Sequence, residues 1–129
     1  MKYLLDTHVL LLAAADYLPK LAKKYFSEEN ELYFSPASIW EIETKRALFS
    51  SYFQIDTEAF YAGLLAAGYK ELPVTTRHVL VMESLPKTYT DPFDRILLSQ
   101  VEAERLYLIT SDADIAKYHF RIIFLKSIV

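Results

Sequence analysis

Short apolar runs along the chain alternate with segments whose apolar residues recur at helical spacing. Lys2 to Asp6 (KYLLD) reads as a buried strand, and the stretch that follows through Ala15 reads as a helix. A second helix is predicted from Pro19 to Glu28, with Pro19 at an early position where its missing N–H costs nothing. Glu31 to Ser35 (ELYFS) is strand-like, Pro36 to Leu48 is helical, and Asp56 to Ala67 is a helix closed by Gly68. Tyr69 to Val74 reads as a strand and Thr75 to Leu85 as a helix. A turn-rich stretch from Pro86 to Pro92 leads into a helix ending near Glu104. Leu106 to Thr110 (LYLIT) is strand, Asp112 to Tyr118 helix, and Arg121 to Leu125 (RIIFL) the last strand.

Strands that alternate with helices imply βαβ units, hence an α/β fold with a parallel sheet covered on both faces. The unbroken apolar character of LYLIT and RIIFL is what a doubly covered strand requires. No repeat, linker or low-complexity segment interrupts the pattern, so residues 1–129 are expected to form one domain.

Composition narrows the class further. The chain is 53% hydrophobic and 15% aromatic with only 2 Gly, which excludes a disordered protein. It has no cysteine, which removes disulfide scaffolds, thiolate zinc sites and cysteine nucleophiles. The longest apolar run without a polar break, Val9 to Ala15, is far short of the ~20 residues that span a bilayer. Lys2 precedes an apolar stretch ending in Ala13-Ala14-Ala15, but Asp6, Thr7 and His8 interrupt it. The N-terminus is therefore expected to be folded structure rather than a secretion signal, and the protein cytoplasmic.

The acidic residues carry the candidate chemistry. In open α/β sheets ligands sit beyond the carboxyl ends of the strands. Asp6 closes the first strand and Asp112 follows LYLIT, while Glu41 and Asp94 lie in the first turns of helices. Each has an ordinary alternative. Asp6 or Thr7 suits the N-cap of the first helix and Ser111 or Asp112 that of the helix after LYLIT, Asp91 caps the helix that Pro92 begins, and Glu41 stands one turn before Lys45 in a position for an ion pair. Asp94 fits the ordinary reading least, because Leu97 and Leu98 one turn on give it an inward-facing neighbourhood. Gathered at one sheet edge, such carboxylates repel one another unless a cation neutralises them. An oxygen-only set without Cys or His suits Mg²⁺ or Mn²⁺ and points to metal-assisted phosphodiester hydrolysis. The net charge of −3 does not oppose a nucleic-acid substrate: setting the four acids aside leaves 13 acids against 14 Lys and Arg.

Leu4-Leu5-Asp6-Thr7-His8, Ser38-Ile39-Trp40-Glu41-Ile42, Asp91-Pro92-Phe93-Asp94-Arg95-Ile96-Leu97 and Ile109-Thr110-Ser111-Asp112 together resemble the PIN-domain ribonucleases, specifically the VapC-like toxins of bacterial and archaeal toxin–antitoxin pairs. The resemblance runs over essentially the whole chain, in the family's order, and DPFDR is its most distinctive part. It implies a three-layer fold with a mostly parallel central sheet flanked by helices. It implies endoribonuclease activity on structured RNA with 5′-phosphate and 3′-hydroxyl products, homodimerisation, and inhibition by a cognate antitoxin. Residue by residue, Asp6, Glu41 and Asp94 match the family's three core metal-site acids and Asp112 the fourth. Thr7 and Thr110 match hydroxyl positions beside the site, Asp91 a supporting or capping position, and Asp114 is a weaker candidate. Two departures stand out. Ala13-Ala14-Ala15 replaces a bulkier stretch, and Phe49-Ser50-Ser51 replaces a Gly-Lys found in relatives after the WE helix.

Among the remaining residues, His8, His78 and His119 are too far apart along the chain to suggest a zinc site, and His8 is expected to be a partly buried helix residue. Lys20, Lys23, Lys24, Lys45, Arg46, Lys87 and Arg95 are candidate phosphate contacts, but scattered Lys on helices are more often solvated faces and these form no basic stripe. Arg95, beside Asp94, is the expected group for contacting substrate or ordering the acids. The 10 Tyr and 8 Phe exceed what so small a core needs and suggest a dimer or partner surface. The competing readings are a housekeeping RNA-processing nuclease of the same kind, a phosphoacceptor domain, and a non-catalytic α/β interaction module. A phosphoacceptor needs an acid pair after its first strand and a late Lys, and this chain has neither in place.

Overall fold

In the computed structural model, which describes residues 1–48, 54–88, 90–117 and 121–126, the run Lys2–Leu5 forms β1, the middle strand of a five-stranded sheet. The remaining strands are β2 (Glu31–Phe34), β3 (Lys70–Glu71), β4 (Tyr107–Thr110) and β5 (Ile122–Phe124). Their order is β3-β2-β1-β4-β5 and every pairing is parallel. The helices are α1 (Thr7–Ala14), α2 (Pro36–Leu48), α3 (Thr57–Ala66), α4 (Thr76–Val81), α5 (Pro92–Glu104) and α6 (Ala113–Ala116).

Strand alternation divides the core into two layers. Leu4 of β1 and Leu108 of β4 point to one face, where they meet Ile96, Leu97 and Val101 of α5 and Ile115 of α6. Tyr3, Leu5 and Ile109 point to the other, against Val9 and Leu10 of α1, Ala22 and Leu64. Leu4, Leu5 and Ile109 are fully buried. Each such side chain contributes about 1.5–3 kcal/mol on leaving water, so β1 and β4 are the most firmly held part of the sheet. Tyr3 of β1 pairs with Leu32 on one side and Tyr107 on the other, which sets the carboxyl ends of β1, β2 and β4 side by side.

Five elements differ from the expectation. Residues Lys20–Phe26 form a 3₁₀ helix rather than an α-helix; Pro19 stands outside it in extended conformation. Tyr69 to Val74 contributes only the two strand residues Lys70–Glu71, because Gln100 takes the Leu72 and Pro73 carbonyls. The helix from Thr75 ends at Val81 and tightens into a 3₁₀ turn over Met82–Ser84. The helix after LYLIT is a single turn, Ala113–Ala116. RIIFL proves to be an edge strand, with Phe124 44% exposed, rather than a doubly covered one. Tyr118, His119 and Phe49-Ser50-Ser51 lie outside the described residues. No helix among the described residues is long and apolar enough to cross a membrane.

Candidate functional site

Four chain segments deliver acids to one cleft of about 290 Å³ at the carboxyl ends of the strands, lined by Asp6, Glu41, Asp91, Asp94 and Asp112 together with Thr7, His8, Lys45, Ser111 and Ile115. Asp6 follows the central strand directly and is only 5% exposed. Its Oδ1 accepts the Val9 N–H at 2.8 Å and so caps α1, while its Oδ2 accepts the hydroxyl of Thr110 from the end of β4. The same Thr110 oxygen accepts the backbone N–H of Asp112 at 3.0 Å. One buried hydroxyl therefore fixes Asp6 and the start of the Asp112 turn together.

The first turns of α1 and α2 are joined by the Thr7 hydroxyl, which donates to Ser38 Oγ at 2.9 Å. Ser35, at the end of β2, accepts the Ala37 N–H at 3.0 Å and starts α2 so that Glu41 turns inward. Glu41 is 8% exposed, and Lys45 one turn later donates to its Oε2 at 2.6 Å. The ion pair expected from the i,i+4 spacing is present, but its carboxylate is buried at the cleft rather than solvated.

Asp91 accepts the N–H groups of Phe93 and Asp94, at 2.8 and 3.1 Å, and with Pro92 in the first turn it starts α5. Asp94 then projects, half-buried, into the cleft. Burial, then the fields of Asp91, Glu41, Asp112 and Asp6, push its carboxyl up to about 7. Asp6 is pushed up to about 6 by burial, against which the Thr110 and Val9 bonds and the field of His8 work. Asp112 caps the turn of α6 by accepting the Asp114 and Ile115 N–H groups. Asp6, Asp91 and Asp112 thus serve at once as helix caps and as acids of the cleft.

The remaining candidates divide. Thr110 lies behind Asp6. Asp114 is exposed and pairs with Lys117 at 3.4 Å, away from the cleft lining. Arg95 does not line the cleft: its guanidinium donates to the Pro86 and Met82 carbonyls at 3.1 and 3.0 Å. The reason is helical geometry, since the next residue after Asp94 points about 100° around α5. It clasps the chain that leads to Asp91. His8 is exposed rather than partly buried, and its Nδ1 lies 2.6 Å from Ser111 Oγ at the cleft wall. From sequence, Ser111 stood only as a possible helix cap, and Lys45 as an ion-pair partner of Glu41 or one of several scattered phosphate contacts. A serine flanking Asp112 and a lysine one turn from Glu41 were the available signals.

The donor set fits a hard divalent cation in kind: it is all oxygen, and its mutual repulsion raises Asp94. Among the described residues, however, no three acids or histidines are gathered closely enough to grip an ion between them. Lys45 instead supplies positive charge at Glu41. Burial disfavours the Lys45 ammonium, but the Glu41 bond and the fields of Asp91 and Asp94 outweigh it and hold its pKa above the ordinary lysine value. A larger groove of about 810 Å³ beside α2 and α3 is lined by Glu43, Asp56 and Glu58, of which Glu43 is bound to Arg46 and Thr57 and lowered to about 2.

Comparison with known proteins gives a consistent picture of the fold. Residues 3–121 match the family model described as PIN domain. The chain superposes on a chain of VapBC2 from Rickettsia felis bound to a promoter DNA fragment, with a TM-score of 0.71 and 14% identity over 96% of this chain and 97% of that one. It is also similar to a DNA-bound VapBC from Salmonella typhimurium (TM-score 0.70, 13% identity, 96% of each chain). A toxin–antitoxin complex from Klebsiella pneumoniae gives a TM-score of 0.65 at 17% identity, over 98% of this chain and 99% of that one. The chain matches no curated protein sequence.

Proposed function

Because the chain belongs to the PIN-domain family, we propose that it is a Mg²⁺- or Mn²⁺-dependent endoribonuclease, the toxin of a toxin–antitoxin pair, formed by one domain over residues 1–129. The observation that carries this reading is the meeting of Asp6, Glu41, Asp94 and Asp112, from four separate segments, at one cleft in which Asp94 is pushed up to about 7. These four residues would hold the ion, which when bound supplies water activation and counter-charge for the phosphoryl oxygens of the bond being cut.

The chain's own residues prepare that chemistry. Val9 N–H and Thr110 fix both oxygens of Asp6, so its carboxylate meets a ligand without reorganising. Asp91 and the Arg95 clasp fix the start of α5 and hence the reach of Asp94. His8 and Ser111 line the cleft as hydrogen-bonding groups for a ribose or phosphate. The partners proposed are RNA as substrate, an antitoxin protein as inhibitor and a second copy of the chain, acting in the cytoplasm. The antitoxin is supported by fold likeness to chains from VapBC complexes.

The test is incubation of total cellular RNA with purified protein in Mg²⁺, Mn²⁺ or chelator, beside Asp6→Asn. Discrete fragments that need the ion and vanish in the variant support the reading. Equal cleavage by Asp6→Asn, or a folded, antitoxin-free sample that cuts nothing, overturns it.

A further inference from the structure

Lys45 stands out among the described residues that line the acid cleft, because among them it is the only Lys or Arg. It lies one turn after Glu41 on α2, and its ammonium is 2.6 Å from Glu41 Oε2. The two ends of this pair sit in different surroundings: the Glu41 side chain is 10% exposed and that of Lys45 is 40% exposed. The carboxylate is thus fixed in the wall, while the ammonium, on a flexible four-carbon stem, is free to swing toward solvent. The other cleft acids are held differently. Asp6, Asp91 and Asp112 accept backbone N–H groups, which leave their charge in place, whereas Glu41 is neutralised by a full opposite charge.

A divalent cation drawn to Glu41 repels the ammonium already held there, so the two compete for the carboxylate. Resting on the divalent-cation reading above, we propose that Lys45 is an exchangeable counter-ion. It holds Glu41 while the site is unloaded, gives the carboxylate up to the divalent cation, and then binds a non-bridging oxygen of the substrate phosphate. An ammonium is a compact point charge with three donors, suited to a phosphate that arrives in varied orientations.

The test uses the full chain, Mn²⁺ alone, and then uridine 5′-monophosphate in saturating Mn²⁺ as a phosphate probe, both followed by calorimetry without RNA cleavage. Lys45→Met should bind Mn²⁺ up to about fivefold more tightly, since no ammonium competes for Glu41. The same variant should bind the nucleotide about tenfold more weakly, through loss of a charge-assisted bond. Lys45→Arg should retain most of the nucleotide affinity. Lys23→Met removes the same charge from an exposed position of the 3₁₀ helix and should change both constants by less than about twofold. Opposite effects of Lys45→Met on the two ligands support the exchange. Unchanged or weaker Mn²⁺ binding by Lys45→Met, unchanged nucleotide binding, or equal effects from Lys23→Met overturn it while the divalent-cation reading stands. Failure of the unsubstituted protein to bind Mn²⁺ overturns both.

Discussion

The hydroxyl of Thr110 donates to the carboxylate of Asp6 across a separation of 104 residues. Both groups are buried, and the same hydroxyl oxygen accepts the Asp112 N–H at 3.0 Å. Two candidate ligands on neighbouring parallel strands thereby share one anchor.

Removing that anchor should weaken both. Thr110→Val keeps the shape but leaves a buried carboxylate and a backbone N–H without their partner, at a cost of about 1–3 kcal/mol. Thermal unfolding should show a lower Tm. The Thr110 bond also favours the charged form of Asp6, so Mn²⁺ affinity measured by calorimetry should fall with it. A variant with unchanged Tm and unchanged Mn²⁺ affinity would remove Thr110 from the site.

Asp94 gives a prediction in the opposite direction for the metal-free protein. Its carboxyl is raised by burial and by four neighbouring acids, so Asp94→Asn relieves repulsion and should raise the metal-free Tm. It should also abolish most of the Tm increase that Mn²⁺ produces, and reduce RNA cleavage by at least about a hundredfold, the scale of losing one group that stabilises charge in the transition state. Full cleavage by purified Asp94→Asn would refute its assignment.

The pH dependence follows from the same residue. Because the folded-state value lies near 7 against an ordinary 3.8, the native protein holds a proton that the unfolded chain has already released between those limits. Stability of the metal-free protein should therefore fall as pH rises through that window, with Asp6, raised to about 6, adding to the slope. Melting curves from pH 5 to 8 test this. Asp94→Asn should flatten the slope, and Mn²⁺ should stabilise most at the upper end, where both carboxylates are ionised.

The Arg95 clasp predicts a loss that is not chemical in origin. Arg95→Met frees the Met82 and Pro86 carbonyls and loosens the chain leading to the Asp91 cap. The expected cost is about 1–2 kcal/mol, or a Tm drop of roughly 4–8 °C. Mn²⁺ affinity should fall only slightly, because the Asp91 cap still sets the start of α5. A collapse of Mn²⁺ binding equal to that of Asp94→Asn would instead make Arg95 part of the site.

Much of this protein was legible in one dimension. The apolar runs KYLLD and LYLIT and the helical spacing between them require a parallel α/β arrangement, because only that arrangement buries strands apolar on both faces. The acids at strand ends and first helical turns follow from the same pattern, and DPFD carries its own cap in Asp91. Where the pattern was weak, the sequence misled. Tyr69 to Val74 has strand-like residues, yet the Gln100 side chain takes two of its carbonyls and leaves two paired residues. Local spacing also allowed the Glu41–Lys45 pair but said nothing of its burial, which depends on α2 lying beside α1 and α5. The direction of Arg95, the exposure of His8 and the Thr110–Asp6 bond were likewise decided only on folding. Each joins groups far apart in the chain, and no periodicity encodes which of them will meet.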